Sequence, residues 1–225
     1  GDLESLGQLL IPPSVAECIT PETFLLLSPH KELHLVPWAA LRPQFSSDSL
    51  AKICIPSVVP SLLSLMAIWQ RNDSRHISGR ENGLMIGLSS FGGRRRDLPH
   101  VQNEISFLSS RLGSGGFCLA ENEAVWENVL KLSQANEGLS RFAWLHIASH
   151  FFFHAQTGRL SGFALWDGDV WLDQLRDLSP LPDLMTLSAC NSISSFVYEG
   201  DEHADVASAC LAAGANSVVG SLWPV

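Results

Sequence analysis

The sequence predicts an α/β fold: a mainly parallel sheet flanked by helices on both faces, entered through an N-terminal β-hairpin. Three observations carry this expectation. Short apolar runs recur along the chain between polar or turn residues, as strands buried on both faces of a parallel sheet require. Segments with helical spacing separate these runs, the pattern of βαβ crossovers. Two of the runs also end on reactive residues: Phe142-Ala143-Trp144-Leu145-His146-Ile147-Ala148-Ser149-His150 on a histidine, and Leu184-Met185-Thr186-Leu187-Ser188-Ala189-Cys190 on a cysteine.

The elements follow in order. Thr23–Leu27 and Leu33–Val36 flank Ser28-Pro29-His30-Lys31-Glu32 and read as the two arms of the hairpin. Pro60-Ser61 opens a helix over residues 60–71, and a polar loop follows from Asn72 to Asn82. Leu84–Leu88 is a buried strand. Beyond a Gly/Arg-rich loop, Val101, Ile105, Leu108 and Leu112 fall on one face of a helix. Phe117–Ala120 is a short strand and Glu123–Gln134 a helix. The run ending at His150 comes next, then a weaker strand at Phe163–Trp166, a helix near Trp171–Asp177 and the run ending at Cys190. A helix around Asp205–Ala213 and the strand Ser217–Leu222 close the pattern. The chain stops at Trp223-Pro224-Val225 directly after a strand and begins mid-pattern at Gly1, so the expectation is one domain over residues 1–225, cut from a longer protein.

Composition narrows the class. The 225 residues are 46% hydrophobic and include seven tryptophans, which supplies a substantial core and excludes a disordered chain. Every apolar run is interrupted by proline or charge well short of the roughly 18 residues that span a bilayer. Asp2, Glu4 and Glu17, with no basic stretch, exclude a secretory signal in the first twenty residues. The five cysteines, Cys18, Cys54, Cys118, Cys190 and Cys210, form no CxxC and are odd in number. That pattern suits neither a disulfide framework nor a zinc ribbon and implies the reducing cytoplasm. A net charge of −9 disfavours nucleic acid as a partner, because phosphate binding rests on clustered Lys and Arg.

In open α/β sheets reactive groups gather where loops leave the carboxyl ends of the strands. If the two runs are neighbours, His150 and Cys190 face each other there, as a thiol nucleophile and its base require. Cys190 is set apart from the other cysteines by small or polar neighbours, Ser188, Ala189, Asn191 and Ser192. His146, His150 and His154 are spaced by four, but on a strand rising ~3.3 Å per residue such positions lie ~13 Å apart, too far to share a metal. No metal or cofactor is expected, and His146 alone reads as a core histidine bonded to backbone. No G-x-S-x-G elbow is present, and Gly113-Ser114-Gly115-Gly116 is not a dinucleotide fingerprint. Arg94-Arg95-Arg96 reads as a solvated loop in preference to a self-cleavage site.

Four stretches together resemble the CHAT domain, a caspase-like peptidase module related to separase and usually attached to tetratricopeptide repeats. Glu32–Leu41 resembles the family's hairpin motif, Leu145–His150 its histidine motif, Thr186–Cys190 its cysteine motif, and Ala212–Val225 its late helix–strand signature. They occur in the expected order across nearly the whole chain. The resemblance implies a caspase-like sheet with His150 as catalytic histidine and Cys190 as nucleophile. It also implies an oxyanion hole made by the backbone N–H groups of Phe151 and Cys190. Phe151 stands where the family usually has glycine, and Asn191-Ser192 where it has Glu-Thr. A phenylalanine would be strained there if the position required a positive φ.

The resulting expectation is a cysteine endopeptidase acting on protein or peptide substrates. Attached repeats or an activating partner would regulate it, in programmed cell death or defence signalling. Among the acidic residues after the nucleophile, Asp201 and Asp205 are the candidates to receive a basic P1 side chain. The competing expectation is a catalytically silent caspase-like scaffold for protein–protein interaction, supported by Phe151 and the altered flank of Cys190.

Overall fold

The computed structural model describes residues 2–74, 83–112, 115–152, 161–189, 196–197, 203–204 and 206–223. They form two compact units, residues 1–70 and 71–225. The first unit contains α1 (Asp2–Leu10), α2 (Pro13–Ala16), β1 (Phe24–Leu27), α3 (Leu50–Ile53) and β2 (Ile55–Val58), and α4 (Leu62–Ser74) begins in it. Its core gathers Ile11, Trp38, Leu41, Leu50 and Cys54.

The expected hairpin is absent from this unit. β1 pairs in parallel with β2, Phe24 opposite Ile55, while Lys31–Leu35 and Trp38–Ala40 form 3-10 helices. The reason lies in Leu33: its carbonyl accepts from Val36 N and, at 3.0 Å, from the Trp38 indole. Held in that tight turn, 33–36 cannot offer an extended edge to β1. The stretch that resembles a hairpin motif is therefore a pair of helical turns.

The second unit carries the main sheet. β3 (Gly83–Gly87), β4 (Gly116–Ala120), β5 (Trp144–Ala148), β9 (Leu184–Ser188) and β12 (Ser217–Gly220) are all parallel, in the order β12-β9-β5-β3-β4. β3 is fully buried, as its unbroken Leu-Met-Ile run predicts. On one face lies α5 (His100–Leu112), whose Val101 and Ile105 pack on Met85 and Ala148. α5 comes so close that a Cβ at Gly87 would stand 2.4 Å from the Ile105 side chain. On the other face α6 (Trp126–Gln134), the 3-10 helix Leu172–Leu178 and α7 (Val206–Ala212) bury Leu84, Ile86, Leu145, Ile147 and Leu187. Helices thus cover both faces, as the strand–helix alternation implies.

A smaller antiparallel sheet joins β6 (Phe151–Phe152), β7 (Gly162–Ala164) and β8 (Asp169–Trp171). β5 accordingly ends at Ala148, short of His150. The buried Ser149 hydroxyl donates to Ala164 O at 2.6 Å, and Ala164 N donates to His150 O at 2.9 Å, drawing the chain out of the main sheet. A two-residue ladder also pairs β10 (Phe196–Val197) with β11 (His203–Ala204). No helix among the described residues is long and apolar enough to cross a membrane.

Candidate functional site

The strand order reverses at β3, whose successor in sequence, β4, lies on one side and β5 on the other. At such a point the loops leaving adjacent strands diverge and open a crevice at the carboxyl ends. His150 stands at that point, two residues beyond Ala148. Its half-buried ring packs on the buried Phe91, from the loop after β3, with centroids 4.7 Å apart. His150 Nε2 lies 2.6 Å from the Arg96 carbonyl oxygen. A carbonyl only accepts, so Nε2 carries the proton and Nδ1 is left as the basic nitrogen of the neutral ring. The sequence offers no evident carboxylate to orient His150, and this backbone carbonyl takes that role. No residue-type signal marks it, because any side chain leaves the same C=O.

The loop that presents Arg96 is fastened along its length. The Glu121 carboxylate accepts from Ser89 N at 2.9 Å, from Ser90 N at 3.2 Å and from the Ser89 hydroxyl. Glu121 itself holds a positive φ of 49°, a strain of about 1 kcal/mol that these bonds offset. Phe91 N donates to Asp97 Oδ1 at 3.1 Å, closing the loop on itself. The arginine run is exposed at Arg94 and Arg96, as the solvated loop read from the sequence requires, and half-buried at Arg95. Arg94 donates to the Trp166 carbonyl, and Arg95 lies 2.8 Å from both oxygens of Asp169.

Phe151 follows His150 in extended β6 and is not among the residues with positive φ, so the expected strain does not arise. Phe151 faces Phe163 next to the hydrogen-bonded 150/164 pair. Alternation along an antiparallel ladder turns its N–H away from β7.

Beneath the strand ends lies a second histidine. His146 is 5% exposed, and side chains hold it, not the backbone expected. Thr186 Oγ1 is 2.8 Å from its Nδ1 and also accepts from the Trp144 indole at 2.8 Å. Glu104 Oε1, from α5, is 3.2 Å from Nε2, an ion-pair distance whose alignment falls short of a hydrogen bond. The carboxylate selects the Nε2–H tautomer, so Nδ1 accepts from the Thr186 hydroxyl. Glu104 Oε2 in turn accepts from Ser188 at 3.0 Å, so one carboxylate ties β5 to β9. Burial pushes the His146 pKa down, and the Glu104 charge opposes it. An open depression of about 320 Å3 flanks this cluster, lined by His146, Thr186, Ser188, Ala189, Val219 and Ser221.

Cys190, Asp201 and Asp205, and with them the Cys190 N–H, lie outside the described residues, as does His154. β5 and β9 are neighbours, with Ala148 opposite Ser188, and His150 and Cys190 each follow two residues later in sequence. Burial raises the pKa of Cys54, and burial followed by the Glu123 charge raises that of Cys118, so neither is an activated thiol. Among the described residues no three His, Cys, Asp or Glu side chains converge on a point that could hold a metal.

No curated protein matches this sequence. A family model of the CHAT domain matches residues 2–225. That match spans almost the full chain, and the parallel sheet with helices on both faces agrees with the caspase-like, peptidase-related character of the family. The chain belongs to the CHAT domain family.

Proposed function

We propose that this chain is a cysteine endopeptidase in which His150 and Cys190 form the catalytic dyad. The observation that carries the reading is the 2.6 Å contact of His150 Nε2 with the Arg96 carbonyl, which accepts the Nε2–H hydrogen bond and leaves Nδ1 to act as base. The register of β5 with β9 supports it, because the two strands that lead to His150 and Cys190 run side by side in step.

In this mechanism Nδ1 withdraws the thiol proton of Cys190, and the thiolate attacks the substrate carbonyl carbon. The C–S bond forms as the carbonyl electrons move to oxygen, where the N–H groups of Phe151 and Cys190 receive the charge. Collapse breaks the C–N bond, and His150 returns the proton to the leaving amine. Water activated by His150 then hydrolyses the thioester. Neither metal nor cofactor enters the reaction. Asp201 and Asp205 are assigned to a pocket for a basic P1 residue. Attached repeats and an activating partner in the cytoplasm restrain and release the activity, in cell-death or defence signalling. The substrate is a protein, and neither nucleic acid nor a membrane is a partner of this domain.

A P1-diverse peptide library tests the reading. Cleavage after one residue class, abolished by Cys190→Ala and by His150→Ala in folded protein, is the expected result. Turnover that survives either substitution would exclude the dyad, and silence of the unmodified protein with its activator present would favour the scaffold.

A further inference from the structure

We infer that the Arg95–Asp169 pair is a latch that positions His150, holding the loop after β3 on the β6–β8 sheet so that the Arg96 carbonyl meets the Nε2 proton. The inference rests on the reading of His150 as base and adds a positioning residue, Arg95, that touches no reacting atom.

Three observations join the latch to the histidine. One guanidinium nitrogen of Arg95 lies 2.8 Å from each Asp169 oxygen, and the guanidinium sits 5.0 Å above the centre of the Phe152 ring. Phe152 in turn meets Trp171 edge-on at 5.4 Å, so Arg95 is held between a carboxylate and an aromatic pair. Asp169 opens β8, which pairs with β7, which pairs with β6, and β6 starts at the residue after His150. The anchor therefore lies in the small sheet that the histidine immediately precedes, while Arg96 is the residue bonded to Arg95. The Arg95 contacts thus anchor the backbone directly beside the Arg96 carbonyl.

The alternative is an ordinary surface ion pair. Both side chains are about one-third exposed, at 32% and 34%, and such pairs add little to stability. A latch and an ornamental pair thus differ in what they do to His150 and agree in doing little to unfolding. The readout must lie at the imidazole.

The test compares the unmodified chain with Arg95→Ala, Asp169→Asn, and the charge-swapped double variant Arg95→Asp/Asp169→Arg. Imidazole 15N chemical shifts report the tautomer of His150, and the rate of Cys190 alkylation by iodoacetamide at neutral pH reports the thiolate. The latch predicts an Nε2–H tautomer populated beyond the preference of a free neutral imidazole in the unmodified chain, relaxing to that preference in both single variants. Alkylation slows by about tenfold in them, the unfolding midpoint moves little, and the swap restores both signals in part. Asp169→Asn keeps shape and volume, so it still tests the latch if Arg95→Ala fails to fold. Single variants with an unchanged tautomer overturn the latch. If Cys190 in the unmodified chain reacts no faster than in His150→Ala, the dyad reading fails, and the tautomer still judges the latch.

Discussion

His146 and His150 stand four residues apart on one stretch of chain, and the fold holds them in opposite ways. His146 lies within β5, almost fully buried, with side-chain partners at both nitrogens. His150 lies just past the strand end, half-buried, with a backbone carbonyl on one nitrogen and an aromatic ring against its face. The first arrangement consumes the imidazole's chemistry in bracing two strands. The second leaves one nitrogen basic. Identical residue types on a continuous segment thus separate into a histidine that braces two strands and one that stands at the candidate site, and the boundary is where the chain leaves the main sheet at Ser149.

The contrast breaks most visibly under alanine substitution. His146→Ala leaves Thr186 and Glu104 facing a void and is expected to destabilise the protein by about 2–3 kcal/mol. His150→Ala is expected to cost less than about 1 kcal/mol while removing turnover. Urea unfolding beside peptide cleavage checks both, and equal destabilisation by the two would erase the distinction. Gly87→Ala attacks the packing of α5 on the sheet. Its Cβ would stand 2.4 Å from Ile105 Cγ1, pushing α5 and Glu104 off the sheet at about 1–3 kcal/mol. The His146 resonances should shift more than those of His150.

Glu104→Gln is a smaller change. It keeps the Ser188 contact and removes the charge that opposes burial, so the His146 pKa should fall further, at about 1 kcal/mol of stability. A histidine titration followed by NMR reads this directly, and an upward shift would contradict it. The mildest effect is on pH. His146 in the folded protein binds its proton less readily than at its ordinary 6.5. As pH falls through that value the unfolded chain takes up a proton that the native state resists. Stability is therefore fully present above about pH 6.5 and declines below it. A denaturation series from pH 8 to 5 should show that decline, and it should be weaker in His146→Gln.

The centre of the main sheet is legible in the sequence because β3 is buried on both faces and so carries the unbroken apolar run Leu84-Met85-Ile86. The α5 face is legible from Val101 and Ile105 for the matching reason, a one-sided helix. The N-terminal region is not, because Leu33-His34-Leu35-Val36 alternates like a strand while a tryptophan captures a carbonyl five residues back and bends it into a turn. The pairing of Arg95 is equally opaque, because charge suggests water until a partner such as Asp169 is placed beside it. Glu104 leaves one usable signal: it falls beside the apolar stripe of α5, next to Ile105, where a carboxylate is carried to the rim of a buried sheet.

The α/β class, the family, and the identity of the strands that lead to His150 and Cys190 can all be read from the chain alone. Those properties depend on local burial patterns and motifs, and local pattern is what a sequence records. Three others needed the folded molecule: which nitrogen of His150 keeps its proton, how His146 braces β5 to β9 through Glu104, and where the arginines of the loop after β3 make their separate contacts. Each depends on a group brought from elsewhere in the chain, often a backbone carbonyl that every residue type supplies alike.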